Sequence, residues 1–318
     1  MAEESKFEHL KIEWPTAVDE QGNVIREGTV DGNYAVISIN RPDKLNALTD
    51  DVLAELAKAL RLMEWDGSIR AVVLRGTKEI TKKPSFSVGA DLAAMFDKRL
   101  KPNIPMHMSQ AMRIKHRIYD ELEQFTKPLI AAVDGFALGG GCELTLCCDI
   151  VIASDRSVFG FPEIDRGIFP ANGGITRMAS RVGVNRALRM AMFGEHIDAK
   201  TMLDWGYVSW IAPAGDEFEK LVHEKAKRLG EAATTSLFVI KKCVKFGTRY
   251  PQLGLIMEQL GFGITFAGSF DAKEGIAAFN RRIKCPVCGG KGKLEDGSTC
   301  QNCGGRRKIK DSPHYKGI

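Results

Sequence analysis

Along the first half of the chain, runs of five or six apolar residues alternate with segments whose apolar positions recur every three or four. Residues 34–39 (YAVISI), 70–75 (RAVVLR), 129–133 (LIAAV) and 149–153 (DIVIA) have the length and β-branched content of strands buried on both faces. Residues 45–63 carry helical periodicity, with Thr49 or Asp50 placed to cap the N-terminus, and 112–125 predict a second helix. Short apolar strands separated by helices predict an α/β domain with a parallel sheet. The first 30 residues, polar and turn-like around 19–23, predict a hairpin extension, and 76–85 a polar loop. From 185 to about 282 the pattern is mostly helical, and the composition breaks at 284/285.

Composition changes this picture only at the C-terminus. The chain has 318 residues, a formal charge of +5 and 8 Cys. Four of the cysteines and seven Lys/Arg against three Asp/Glu fall from 285 onward, so the body is nearly neutral and the basic excess sits in the tail. A neutral, apolar body excludes a disordered chain and gives no general case for nucleic-acid binding. The acidic start (Glu3, Glu4) lacks the apolar core of a secretory signal. The longest apolar stretch, 129–153, is broken by Asp134, Glu143 and Asp149 and by three glycines, so it reads as buried core with no membrane contact. Cys142, Cys147, Cys148 and Cys243 lie in apolar contexts that suit reduced thiols, and the expected setting is cytoplasmic.

Chemistry is carried by glycines and carboxylates. Nucleotide-binding glycine fingerprints, phosphate loops, zinc-protease helices and nucleophile elbows are absent, and six scattered histidines argue against a histidine-dependent triad. Two segments bring small residues to places where a backbone can approach a ligand: Phe86-Ser87-Val88-Gly89-Ala90-Asp91-Leu92 and Gly135-Phe136-Ala137-Leu138-Gly139-Gly140-Gly141-Cys142-Glu143. In the second, a buried strand, a glycine turn and a helix start would expose N–H groups at a positive helix end; the glycines serve close packing equally well. Glu143, in the first helical turn, is accounted for by the helix dipole alone, and Glu163 by an exposed loop. Taken together, two anion-cradling turns and two carboxylates suit proton transfer beside a stabilised oxyanion.

In order and spacing these residues resemble the crotonase (enoyl-CoA hydratase/isomerase) superfamily. The resemblance runs through Arg41-Pro42, Asn46-Ala47-Leu48, Phe86, Gly89-Ala90-Asp91, Lys127-Pro128, Ala137-Leu138-Gly139-Gly140-Gly141-Cys142-Glu143, Cys148-Asp149, Phe161-Pro162-Glu163 and Gly173-Gly174, and continues in Asp271, Glu274-Gly275 and Ala278-Phe279. It covers roughly 32–283. It implies a spiral of ββα units with a helical C-terminal region, assembled as a homotrimer or homohexamer, and a coenzyme A thioester as substrate, with no cofactor for the chemistry. The implied oxyanion hole falls on the backbone N–H groups of Ala90 and Gly140. The implied catalytic pair is Glu143 and Glu163, serving the proton at C2 and the water at C3. Substrate contacts fall on Ala47, Gly89, Asp91, Leu92, Gly139 and Gly141. Glutamate at both positions favours hydration of a 2-enoyl-CoA over the isomerases and C–C bond hydrolases that resemble it. Three departures stand out: Ala171-Asn172 replaces smaller residues, 76–85 is long, and 95–126 is long and contains Met106, Met108 and Met112, which would suit a bulky or alicyclic acyl group.

The tail carries Cys285-(x2)-Cys288 and Cys300-(x2)-Cys303, separated by eleven residues. Four thiols so spaced predict one structural Zn(2+) in a zinc ribbon, against the alternatives of two disulfides or a disordered tail. The Cys-x-x-Cys-x-Gly-x-Gly half resembles DnaJ-type zinc repeats. The domain expectation is an extension over 1–30, a spiral core over 31–200, a helical region over 201–284 and the ribbon over 285–318. A third class of function is a zinc-dependent protein- or RNA-binding homologue, using Arg306, Arg307, Lys308 and Lys310.

Overall fold

The computed structural model describes residues 7–94, 104–289, 291–302, 306 and 308–310, and its contacts divide into two units, Met1–Gly230 and Glu231–Ile318. In the first unit the run YAVISI forms strand β4 (Tyr34–Ile39), buried at every position. Its residues alternate between two cores: Ala35, Ile37 and Ile39 enter the larger one, while Tyr34 and Val36 enter the smaller one on the opposite face. A strand buried on both faces has no polar side to display, which is why its sequence is a continuous apolar run.

The larger sheet has the order β1 (Leu10–Glu13), β4, β5 (Ala71–Gly76), β7 (Leu129–Val133), β9 (Ile150–Ser154) and β12 (Trp210–Ala212). From β4 to β12 the neighbours are parallel, and β1 pairs antiparallel with β4. The N-terminal segment thus supplies both the hairpin β2 (Ala17–Val18) and β3 (Val24–Arg26) and an edge strand that the pattern did not predict. A smaller sheet has the order β11 (His196–Asp198), β10 (Val158–Gly160), β8 (Phe136–Leu138) and β6 (Ser85–Ser87). Strands of three residues are too short to show a period.

Helix α1 (Asp50–Glu64) begins where the capping signal placed it: the Thr49 hydroxyl accepts the Val52 N–H at 3.2 Å. It buries Val52, Leu53, Leu56, Leu60 and Met63 in the larger core; truncating one such leucine to alanine costs about 2–5 kcal/mol. Helix α2 (Pro105–Gln124) starts seven residues before the predicted 112, with Pro105 in its first turn. Only Tyr119 and Leu122 of it are buried, so its first turns carry little apolar signal. Helices α3 (Gly140–Cys147), α4 (Gly174–Val182), α5 (Val184–Phe193), α6 (Ala199–Asp204) and α7 (Asp216–Gly230) complete this unit, and α7 packs Phe218, Val222 and Ala226 into the smaller core. The region predicted as mostly helical is interrupted by β11 and β12, which close one edge of each sheet.

The second unit holds α8 (Thr234–Gly247), α9 (Pro251–Gly268), α10 (Phe270–Asn280) and the antiparallel pair β13 (Arg282–Lys284) and β14 (Lys308–Lys310). Among the described residues no single helix is long and apolar enough to cross a membrane; α9 and α10 pass that test only as a pair bent by 75°.

Candidate active site

Strands β6, β8 and β10 are parallel neighbours, so the segments leaving their C-terminal ends emerge side by side. After β6 the chain runs through Val88, Gly89 and Ala90; after β8 through Gly139 and Gly140 into α3; after β10 through Phe161 and Pro162 to Glu163. Three segments far apart in sequence thereby share one cavity of about 470 Å³.

Gly89 has φ +90°, and a Cβ there would stand 2.8 Å from the Leu138 carbonyl oxygen and 2.9 Å from the Gly140 nitrogen. The first glycine turn therefore lies directly against the second. The Ala90 nitrogen is 3.6 Å from where a Gly140 Cβ would be. Neither the Ala90 nor the Gly140 N–H donates to another group among the described residues. Two adjacent donors with no other acceptor thus border one cavity, an arrangement that can attract an anion, at Gly140 with help from the start of α3. The Arg41-to-Ala47 segment holds the outer wall. Arg41 donates to the Ala47 carbonyl at 2.6 Å and to Asp91 at 3.1 Å, while Asn46 donates to the Ser85 carbonyl at 2.8 Å. The Arg41 guanidinium keeps Asp91 below the usual carboxylate range, so Asp91 is engaged in an ion pair at the cavity edge.

Glu143 and Glu163 both line the cavity, in different surroundings. Glu143 is 1 % exposed. Its Oε1 accepts the backbone N–H groups of Asn172 (2.7 Å) and Gly174 (2.9 Å), and its Oε2 accepts the Asn172 side-chain amide (2.9 Å). Burial pushes its pKa up, against the pull of those three donors and the Arg177 charge. Glu163 lies in a 3-10 turn, Pro162–Arg166, not in an open loop. Its Oε2 is buried with no hydrogen-bond partner. Burial first, and the neighbouring Glu143 charge after it, push this carboxyl up to about 7, against its own backbone N–H and Arg166. One carboxylate is fixed as an acceptor while the other holds its proton near neutral pH. Such a pair can move protons at two adjacent atoms of a substrate whose oxygen sits at the Ala90 and Gly140 donors.

Of the sequence-predicted contacts, Ala47, Gly89, Ala90, Asp91, Leu92, Gly139 and Gly140 line the cavity with both glutamates. Gly141 does not. A Cβ there would stand 2.2 Å from the Ser87 carbonyl oxygen, so glycine at this position lets α3 pass close to β6. Of Met106, Met108 and Met112, only Met112 is among the lining residues, and Met106 is exposed; residues 95–103 of the long segment lie outside the described residues. Sequence reasoning missed Lys44, Arg166 and His196 in the lining, and it treated Asn172 only as a departure. Asn172 is 29 residues from the carboxylate that it holds, and no local pattern signals that contact.

In the second unit the Cys285, Cys288 and Cys300 sulfurs are buried and lie within 4.8 Å of one another. The Cys285 and Cys300 sulfurs are 3.9 Å apart. Four sulfurs about 2.3 Å from a tetrahedral zinc would be about 3.8 Å apart. Gly292 N–H and the Asn302 amide donate to Cys288 and Cys285, each at 3.2 Å, and the Asn302 bond holds the Cys285 thiol below the usual range. The residues present fit a thiolate-bound metal; Cys303, the fourth predicted ligand, lies outside the described residues.

The sequence model for enoyl-CoA hydratase/isomerase matches residues 29–287. The short-chain-enoyl-CoA hydratase of Clostridium acetobutylicum is 34% identical over 269 residues, covering 83% of this chain and 97% of its own. The 2,3-dehydroadipyl-CoA hydratase of Escherichia coli is 34% identical over 245 residues, 77% of this chain and 91% of its own. Among solved structures, an enoyl-CoA hydratase subunit I from Geobacillus kaustophilus superposes with a TM-score of 0.70 at 34% identity, over 78% of this chain and 92% of that one. These relatives are hydro-lyases by name. The fold, the paired glycine turns and a sequence match across most of its length place this chain in the enoyl-CoA hydratase/isomerase, or crotonase, family.

Proposed function

We propose that the protein catalyses the reversible addition of water to a 2-enoyl-CoA thioester, giving a 3-hydroxyacyl-CoA. One observation carries this reading: two glutamates with opposed hydrogen-bonding states share a cavity with two free backbone donors. The Ala90 and Gly140 N–H groups receive the thioester oxygen as negative charge develops on it, and losing one such donor typically costs about 10²–10³ in rate. Glu143, held as an acceptor, takes a proton from the water whose oxygen bonds to C3. Glu163 delivers its proton to C2 as the enolate collapses, and proton exchange with solvent resets the pair. Ala47, Gly89, Asp91, Leu92 and Gly139 border the thioester and its coenzyme A, and the acyl group extends past Met112, Ile168 and Phe169, whose apolar surface suits a bulky or alicyclic chain. The carboxyl-to-amide variants Glu143→Gln and Glu163→Gln test the reading. Hydration falls by orders of magnitude in both, whereas full turnover in Glu143→Gln points to a one-carboxylate isomerase.

Two further parts belong to this reading. Cys285, Cys288, Cys300 and Cys303 hold one structural zinc in a ribbon over 285–318, which suits a cytoplasm that keeps thiols reduced. A short polar tail gains from such a site the folding free energy that it cannot gain from a core. Assembly as a trimer or hexamer is supported by α9, which exposes Leu255, Leu260, Phe262, Ile264 and Phe266, an apolar surface that a monomer rarely leaves open.

A further inference from the structure

We propose that Asn172 is a positioning residue, holding Glu143 as a fixed acceptor for the incoming water, and that one face of α2 holds Asn172 in place. The proposal deepens the hydration reading and rests on it. Its first observation is that Asn172 contributes two of the three donors on Glu143, its backbone N–H to Oε1 and its side-chain amide to Oε2. Both carboxylate oxygens are thereby engaged, and the plane of the group is set. Glu163 has no comparable clamp on Oε2. The difference between the two glutamates comes largely from this one residue.

The second observation is what fixes Asn172. The Asn172 carbonyl accepts Arg177 Nη1 at 2.8 Å. Arg177 is anchored on α2 by Asp120 (2.9 Å) and Glu123 (3.0 Å). The neighbouring Ala171 carbonyl is bonded to the His116 ring, also on α2. The buried Tyr119 hydroxyl donates to the Gly140 carbonyl at 3.3 Å. Residues 116, 119, 120 and 123 recur at helical spacing and share one face. That face therefore grips the loop behind Glu143 and the turn carrying the Gly140 donor. An Arg with two carboxylate partners and 12% exposure is a stiff strut.

The groups facing Glu143 are Arg177 from α4, Tyr119 from α2, Glu163 from the 3-10 turn, and Cys142 and Cys147 on α3 itself. All of them remain in Asn172→Ala, which removes only the side-chain amide bond to the charged carboxylate. Losing that bond, which favours the charged form, raises the Glu143 pKa further.

The test uses the full-length protein with but-2-enoyl-CoA. In Asn172→Ala, kcat is expected to fall about 10–100-fold with KM little changed, and the acidic limb of the kcat/KM profile to move to higher pH. Asn172→Asp, which places a second carboxylate against Glu143, moves the limb further. Asn172→Ser serves if the alanine variant does not fold. A readout independent of turnover is the carboxylic acid C=O infrared band that disappears in Glu143→Gln; its titration is expected to move up in parallel. If the wild type hydrates the thioester and neither the limb nor the band moves, Asn172 is merely structural and the proposal is overturned. If the band moves but the wild type adds no water, Asn172 still positions Glu143 and the hydration reading alone fails.

Discussion

Glu163→Gln is expected to stabilise the fold at alkaline pH while removing catalysis. The carboxyl titrates at about 7 in the folded chain, against an ordinary value of 4.5. Below 4.5 it is protonated in both folded and unfolded states, and its ionisation contributes nothing to the difference between them. Between 4.5 and 7 the unfolded chain releases the proton and the folded chain keeps it, so folding stability declines as pH rises, and the loss is complete above 7. Each pH unit of separation corresponds to about 1.4 kcal/mol, which gives about 3 kcal/mol for a wholly buried group. Glu163 is partly open to the cavity, and water there reduces the figure to about 1–2 kcal/mol. Glutamine keeps the shape and carries no titrating group. Urea unfolding of wild type and Glu163→Gln at pH 4.5 and pH 8 checks this. The stability difference should be near zero at the lower pH and about 1–2 kcal/mol in favour of the variant at the higher. A difference independent of pH, or one favouring the wild type at pH 8, would refute the idea that burial holds the proton on Glu163.

Three other outcomes are expected. Gly139 has φ +51°, and a Cβ there would stand 2.8 Å from Glu163 Oε1, so Gly139→Ala should displace that carboxylate and lower kcat about 100-fold while the strained backbone lowers the thermal midpoint, read by steady-state kinetics well below the midpoint beside a melting curve. Purified full-length protein should contain one zinc per chain by elemental analysis, and Cys288→Ser should lose it; wild type free of zinc after purification in metal-sufficient medium argues for another role of the thiols. Leu260 is 63% exposed on α9, and Leu260→Asp should lower the assembled mass in size-exclusion chromatography with light scattering, whereas an unchanged mass places the subunit interface elsewhere.

How much was legible in the sequence follows from the range of the interactions. Strands β4 and β7 matched their apolar runs residue for residue because burial on both faces leaves a continuous signal. The helix cap at Thr49 was legible because the bond spans three residues. The two glycine turns and both glutamates stood out through the family resemblance, which identified the parts but not their surroundings. The unlike settings of Glu143 and Glu163 depend on Asn172, Arg177 and the face of α2, brought together over tens of residues by parallel strand pairing. The first turns of α2 went unread because none of their side chains is buried, so their apolar residues mark no core-facing stripe. Gly141 was assigned to the ligand side because packing glycines and ligand-facing glycines look alike in one dimension.

Two glutamates and two backbone donors on one cavity are expected to add water across a conjugated thioester. Incubation with but-2-enoyl-CoA in ¹⁸O-labelled water, followed by mass spectrometry of the thioester, tests this most directly. The expected result is a 3-hydroxyacyl-CoA carrying one heavy oxygen at C3, formed rapidly by wild type and orders of magnitude more slowly by Glu143→Gln and by Glu163→Gln. Unlabelled, double-bond-shifted product from wild type, or label uptake that survives both substitutions, would rule out hydration by this pair of carboxylates.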